Sequence, residues 1–157
     1  MISAVFTVQK AEVYNEVAKT TSYTGIKMSG DDYERIFTTD EDRMMLERFF
    51  NEAANNLTDL FKPFIVTVSD TSPLHCIDLE RNYVVNLELS SSYDTNLNGS
   101  IQSSMFSFFT NFIVGSWYKF TNKGEAEGYL GTAASLLLDI KSKLYFRKKP
   151  RRIVPTE

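Results

Sequence analysis

The sequence predicts a mainly α-helical protein with a small β element, and three observations support this fold class. Residues 95–118 contain no charged side chain and place their apolar residues at helical spacing. Residues 46–61 repeat the helical pattern with an amphipathic face. Two short runs, 64–68 and 82–89, are rich in β-branched and aromatic residues, as is typical of strands. We expect three to four helices, a β-hairpin and an extended C-terminal tail.

Composition limits the class of protein further. A chain of 157 residues suits one domain with a real hydrophobic core, and 43% hydrophobic residues exclude a disordered protein. The single cysteine, Cys76, excludes an internal disulfide and fits synthesis in a reducing cytoplasm. The N-terminus lacks the pattern of a secretory signal. We expect one domain over residues 1–146 and a basic extended tail over 147–157.

Charge is distributed unevenly along the chain. The net charge is −3, but residues 147–152, RKKPRR, carry five positive charges and leave −8 on the remainder. Residues 31–59 contain nine acids and three arginines. In a head-to-tail assembly, an acidic face and a basic tail could meet at a subunit boundary, where opposite charges set orientation.

The first forty residues predict three short elements. Residues 2–8 alternate between apolar and polar side chains, which indicates a strand or an extended arm. Residues 9–20 have a helical face with Thr7 as the candidate N-cap, and the polar run 20–25 is expected to end that helix. A short helical turn is expected over residues 30–37.

The next segment gives the clearest helix signal. Thr38 or Thr39 can cap it, Glu41 or Asp42 follows in capping-box position, and Pro63 is expected to stop it. Its apolar stripe consists of Leu46, Phe49, Phe50, Ala53, Leu57, Leu60 and Phe61.

The two strand-like runs predict a two-stranded hairpin, which is marginally stable unless it packs on helices or on another chain. Its edges are candidate assembly sites. The predicted contacts between subunits are the face of the second strand and the acidic cap of the preceding helix. They comprise Tyr83, Val85 and Leu87 with Asp40, Glu41 and Asp42.

The uncharged segment is expected to form a buried helix over residues 101–118, with an apolar face that continues to Phe120. Its length of about 27 Å also allows a membrane span. Its five hydroxyl and amide side chains argue against that alternative, because a single helix in lipid could not satisfy them. They are Ser103, Ser104, Ser107, Thr110 and Asn111.

The last helix carries apolar residues at alternating spacings of four and three, which predicts an a/d seam three heptads long. The seam comprises Ala126, Leu130, Ala133, Leu137, Ile140 and Leu144. Gly128, Gly131 and Ala134 keep another part of its surface small. Pro150 and Pro155 favour an extended tail after it.

No residue pattern indicates catalysis, a metal site or a bound cofactor. His75 and Cys76 are adjacent and supply two ligands, which do not close a zinc site. The acids at 40–42 fit the first turn of a helix. Phosphate-loop and hydrolase motifs are absent from the sequence. We therefore expect no enzyme.

The basic tail has several candidate partners. Five cations on an extended segment attract an acidic protein surface, DNA phosphates or an anionic membrane, and each attraction weakens as salt rises. A solubilising tail without a fixed partner is the simplest alternative. We assign protein docking to Arg147, Lys148, Lys149, Arg151 and Arg152.

The order of these elements resembles the head-to-tail connector, or adaptor, proteins of tailed bacteriophages. The features that carry the resemblance are the acidic-capped helix over Asp40–Asn55, the short β element, an apolar helix ending in Trp117 and Tyr118, and a last helix leading into basic residues. Segments such as FTTDEDRMMLERFFNEAANNL and KLYFRKKPRR are also similar to small virion ring proteins of crAss-like and related Bacteroidetes phages.

The resemblance implies a structural virion protein of the phage neck. It implies a homo-oligomeric ring, commonly of twelve copies, that binds the portal, docks further neck and tail proteins and extends the DNA channel without reading sequence. It brings no catalytic residues and no membrane contact. The N-terminal arm and the loop over residues 90–100 depart from the family pattern.

Overall fold

The computed structural model describes residues 1–27, 42–69, 81–152 and 155. These residues contain four helices and three strands. The elements in chain order are β1 (Ile2–Val8), α1 (Lys10–Lys27), α2 (Arg43–Phe61), β2 (Ile65–Val68), β3 (Tyr83–Leu89), a 3₁₀ turn (Thr95–Leu97), α3 (Asn98–Thr121) and α4 (Lys123–Tyr145). The predicted class, mainly α with a small β element, is confirmed.

The β element is a three-stranded antiparallel sheet in the order β1-β3-β2, and the predicted hairpin is part of it. β1 pairs with β3 over its full length, from Ile2 opposite Leu89 to Val8 opposite Tyr83. β2 pairs on the other side of β3 with an irregularity between Ile65 and Thr67. The N-terminal strand therefore occupies an edge of β3 that an isolated hairpin would have left unpaired.

α3 lies at the centre of the fold, as its uncharged sequence predicts. It contacts α1, α2, α4 and β1, and most of its apolar side chains are buried. Phe120 is an exception to the predicted apolar face. It lies in the last turn, is 68% exposed, and stacks one side of its ring on Phe49 with the centroids 6.4 Å apart.

The polar side chains of α3 are accommodated within the protein. Thr110 donates to the Phe106 carbonyl and Asn111 to the Ser107 carbonyl, one turn back on the same helix. Within the described residues, no helix is long and apolar enough to cross a membrane.

α2 matches its prediction closely at its C-terminal end. It ends at Phe61, two residues before Pro63, and buries most of its apolar stripe. Its start differs, because Asp42 occupies the N-cap position without a capping hydrogen bond from its side chain. The other predicted capping residues, 38–41, and the short turn over 30–37 lie outside the described residues.

α1 is longer than its sequence predicts. The helix continues to Lys27, although the polar run that begins at Thr20 was expected to end it. Thr21 is buried, and its hydroxyl donates to the Val17 carbonyl at 2.9 Å. A hydroxyl that bonds to the preceding turn can remain inside a helix, which explains why the polar run does not terminate it.

α4 packs on α3 through the predicted seam. Ala126, Ala133, Ile140 and Leu144 are buried, and Leu130 and Leu137 are half-buried. The two helices approach closely at Gly115, where an added Cβ would lie 2.7 Å from Leu130 Cγ. Glycine at this position therefore permits the close contact.

Candidate docking surface

The basic tail begins on a fixed path instead of leaving the domain freely. After α4 ends, Arg147 forms an isolated antiparallel bridge with Tyr93. The Lys148 amide donates to the Ser92 carbonyl at 2.8 Å. Backbone hydrogen bonds thus hold the first residues of the tail against the segment that follows β3, and they determine the direction in which the remaining cations leave.

The segment that receives the tail is itself well anchored. The Tyr93 ring is buried, and its hydroxyl donates to Asn98 Oδ1 at 2.7 Å. Burial, together with the nearby Asp94 carboxylate, raises the pKa of Tyr93 above its ordinary value. Asp94 also accepts from the Asn96 amide and caps the 3₁₀ turn.

Two of the five tail cations have partners in the same chain. Arg147 donates to the Leu144 and Phe146 carbonyls, and Lys148 Nζ lies 3.6 Å from Asp94 Oδ1. Lys149, Arg151 and Arg152 are exposed, and within the described residues their side chains form no ion pair or hydrogen bond. The predicted docking group of five therefore divides into two anchored and three available cations.

An open cleft of about 740 Å³ lies between the tail and the segment after β3. Cations outnumber acids on its walls, so it attracts carboxylates or phosphates. Its lining residues are Asp94, Asn96, Phe146, Lys148, Lys149, Pro150 and Arg151. The Phe146 ring is half exposed beside the charges and offers apolar surface to the same partner.

The structure places the predicted interface residues of β3 inside the domain. Tyr83, Val85 and Leu87 are buried, because they point from the sheet toward the helices. The Tyr83 hydroxyl lies 3.1 Å from the Thr58 hydroxyl. Burial raises the pKa of Tyr83 to about 12. These three side chains belong to the core, and their assignment to a subunit interface is corrected.

The acidic half of the predicted interface is described in part. Asp40 and Glu41 lie outside the described residues. Asp42 is half-buried at the start of α2.

A buried ionic cluster joins α1 to α2, and the sequence analysis missed it. Lys10 Nζ lies 3.0 Å from Glu47 Oε1, and the Tyr14 hydroxyl donates to the same oxygen at 2.8 Å. The Lys10 ammonium also lies 5.0 Å from the centre of the Phe50 ring. Burial and the Glu47 carboxylate raise the pKa of Tyr14.

One signal for this cluster was present in the sequence. Glu47 lies three residues before Phe50 and therefore on the buried face of α2. A carboxylate on an apolar face predicts a buried partner, although the sequence does not show that Lys10 supplies it.

Two smaller polar contacts also join separate elements. The Gln102 side chain on α3 bonds to Thr7 on the edge of β1 that does not pair with β3. It accepts from the Thr7 backbone amide and donates to the Thr7 carbonyl. Ser104 and Lys143 both bond to Asp139 Oδ2, at 3.1 and 2.6 Å. The hydrogen bond from Lys143 lowers the pKa of Asp139.

A metal-binding arrangement is not found in the described part of the chain. There, no group of three histidine, cysteine or acidic side chains is placed to hold a metal ion. His75 and Cys76 lie outside the described residues. Comparisons of the chain with protein-family models, with curated proteins and with solved structures give no match.

Proposed function

We propose that this protein is a structural subunit of a bacteriophage neck. In this proposal it forms a homo-oligomeric ring at the portal, docks further neck or tail proteins, and lines a channel through which DNA passes without sequence recognition. The location in the virion, the twelvefold ring and the portal as partner all belong to the proposal. It rests on the resemblance described above together with one structural observation.

That observation is the arrangement of the basic tail. Backbone bonds fix its first two residues, while Lys149, Arg151 and Arg152 are exposed and have no ion pair or hydrogen bond among the described residues. A fixed base reduces the conformational entropy that the tail loses when it binds. The remainder of the chain carries −8, so an acidic partner is attracted to the tail and not to the rest of the chain. Such a tail is suited to docking on a neighbouring protein.

The test measures binding to the portal protein encoded by the same phage. The variant K149Q/R151Q/R152Q removes the three available cations and keeps the anchored pair. Each lost charge contact is worth about 0.5–1 kcal/mol, so we expect binding at least tenfold weaker and a shallower salt dependence. Binding is measured by interferometry at several salt concentrations, and ring formation on the portal by electron microscopy.

A matched control removes three exposed cations outside the tail. The variant K19Q/K119Q/K123Q changes the net charge by the same amount. Equal losses of portal affinity in both variants would show that binding depends on net charge and not on the tail. Unchanged portal binding by the tail variant would contradict docking through these residues.

The same variants test the nucleic-acid alternative. The three available cations also suit DNA phosphates, although the acidic remainder of the chain repels them. If wild-type protein bound duplex DNA with a steep salt slope and did not bind the portal, the nucleic-acid alternative would replace the ring proposal.

A further inference from the structure

α4 carries a second regular row of side chains, and this row faces solvent. It lies one residue beyond the buried seam at each position and has the same alternating spacing of four and three. The row comprises Glu127, Gly131, Ala134, Leu138, Lys141 and Tyr145. Leu138 is 69% exposed and Tyr145 is 49% exposed. The spacing is that of a seam between two helices.

The surface around this row has few charges for an exposed helix. Residues 128–138 contain no charged side chain over eleven consecutive positions. A solvated helix face is ordinarily rich in charge, and an uncharged one with an exposed leucine is typical of a contact surface.

The glycine in the row has no packing explanation among the described residues. A Cβ added at Gly131 would meet none of their atoms within 4 Å, whereas at Gly115 it would collide with Leu130. Glycine destabilises a helix relative to alanine, so an exposed glycine in mid-helix weakens α4 without improving its internal packing. It does leave open space on the surface for a side chain of another molecule.

The charges in the row indicate what that other molecule is. Glu127 and Lys141 lie seven residues before and after Ala134, at equivalent heptad positions. If two copies of α4 cross antiparallel at Ala134, each Glu127 lies opposite Lys141 of the other copy. The same register places Leu138 over the open space at Gly131 of the other copy.

A parallel arrangement lacks this complementarity. It would bring the two Glu127 side chains together, and likewise the two Lys141 side chains. Within the described residues neither Glu127 nor Lys141 has an ion-pair partner in its own chain.

We propose that two copies of this protein associate through the exposed row of α4, antiparallel about a two-fold axis at Ala134. A two-fold contact closes on itself, whereas a ring requires a contact between two different surfaces. The pairing therefore concerns the free protein and does not depend on the proposed ring. Portal binding through the tail is measured separately, so either proposal can fail without the other.

The first test fills the space at Gly131. In G131L, leucine would collide with Leu138 of the other copy, so we expect loss of the dimer in sedimentation velocity over a concentration series. The monomer should keep or raise its melting temperature, because leucine favours helix more than glycine does. G99L is the matched control, because Gly99 is also exposed and an added Cβ would have no atom of the described residues within 4 Å. It should dimerise normally.

The second test reverses the charges. E127K or K141E alone replaces two attractions by two repulsions and should weaken association about tenfold. E127K/K141E restores opposite charges and should recover the wild-type dissociation constant. A wild-type protein that stays monomeric at the highest concentration measured overturns the proposal. Failure of the double variant to recover binding overturns the antiparallel register.

Discussion

At the scale of single residues, the most demanding arrangement is the buried cluster of Lys10, Glu47 and Tyr14. The side chains of Lys10 and Glu47 are 1% and 0% exposed. Taking both charges out of water is costly, and their mutual attraction with one further hydrogen bond offsets that cost. We therefore expect the cluster to contribute more to specifying how α1 and α2 pair than to net stability.

Removing one of the two charges in this cluster should destabilise the fold far more than removing both charges. E47A leaves a buried ammonium without its carboxylate and should cost about 3–5 kcal/mol of unfolding free energy. K10M/E47L replaces both charges by apolar groups and should cost much less than E47A alone. Urea denaturation of the wild type and of both variants measures the two losses.

The matched control for E47A is E52A, on the same helix. Glu52 is about half exposed, and its pair with Arg48 spans 3.5 Å between Nε and Oε1. A surface pair of this kind should cost less than about 1 kcal/mol. Similar losses for E47A and E52A would contradict the assigned role of the buried pair.

Tyr83 gives the protein a predictable response to alkaline pH. Burial raises its pKa to about 12 from an ordinary value of 10.0. The folded state thus favours the protonated phenol, and this contribution is complete below pH 10 and is lost as pH rises to about 12. The loss attributable to Tyr83 should be about 2–3 kcal/mol over that range.

The variant Y83F isolates this effect. It lacks the ionisable group, so its unfolding free energy should fall less than that of the wild type between pH 10 and pH 12. At pH 7 it should be about 1 kcal/mol less stable, because the contact with Thr58 is lost. Parallel pH profiles for the two proteins would show that Tyr83 titrates normally.

At the scale of elements, the contact between α3 and α4 is set by side-chain size. Gly115 allows Leu130 to approach, and the Ser104, Asp139 and Lys143 bonds fix the opposite end of the same contact. β1 is held in a comparable way, because its backbone pairs with β3 on one edge and with the Gln102 side chain on the other. The helices and the sheet are therefore joined at specific points and not by apolar burial alone.

Two glycine-to-alanine changes test the packing of these helices. G115A introduces a methyl group 2.7 Å from Leu130 Cγ and 3.1 Å from its backbone nitrogen, so it should destabilise the fold by about 1–3 kcal/mol. G128A meets no atom of the described residues within 4 Å and should stabilise the fold by about 0.5–1 kcal/mol. The melting temperatures of both variants test this prediction. Equal changes in melting temperature would contradict the close approach of α3 to α4 at Gly115.

At the scale of the whole molecule, charge and topology separate the assembly surfaces from the core. The five tail cations contrast with −8 on the remainder of the chain, and three of them extend beyond the anchored bridge at Arg147. The exposed row of α4 leads along the helix toward that same tail. The two proposed contacts are therefore adjacent, but they differ in chemistry: one is electrostatic, and the other depends on shape and on two charge pairs.

The periodicity of individual segments was enough to predict much of the fold. It located α2, α3, α4 and the strand pair, and it identified the buried seam of α4 residue by residue. It also located the basic tail. These features are local, because the spacing of apolar side chains determines which face of a helix or strand is buried.

The tertiary structure alone decided which elements meet. β1 completes the sheet and so removes the predicted free edge of β3, and Tyr83, Val85 and Leu87 become core instead of interface. Lys10 pairs with Glu47, which lies thirty-seven positions later in the chain. The first two residues of the tail bond to the backbone at Ser92 and Tyr93. Such partners are distant in sequence, and no local pattern encodes them, because their pairing depends on how all the buried faces fit together.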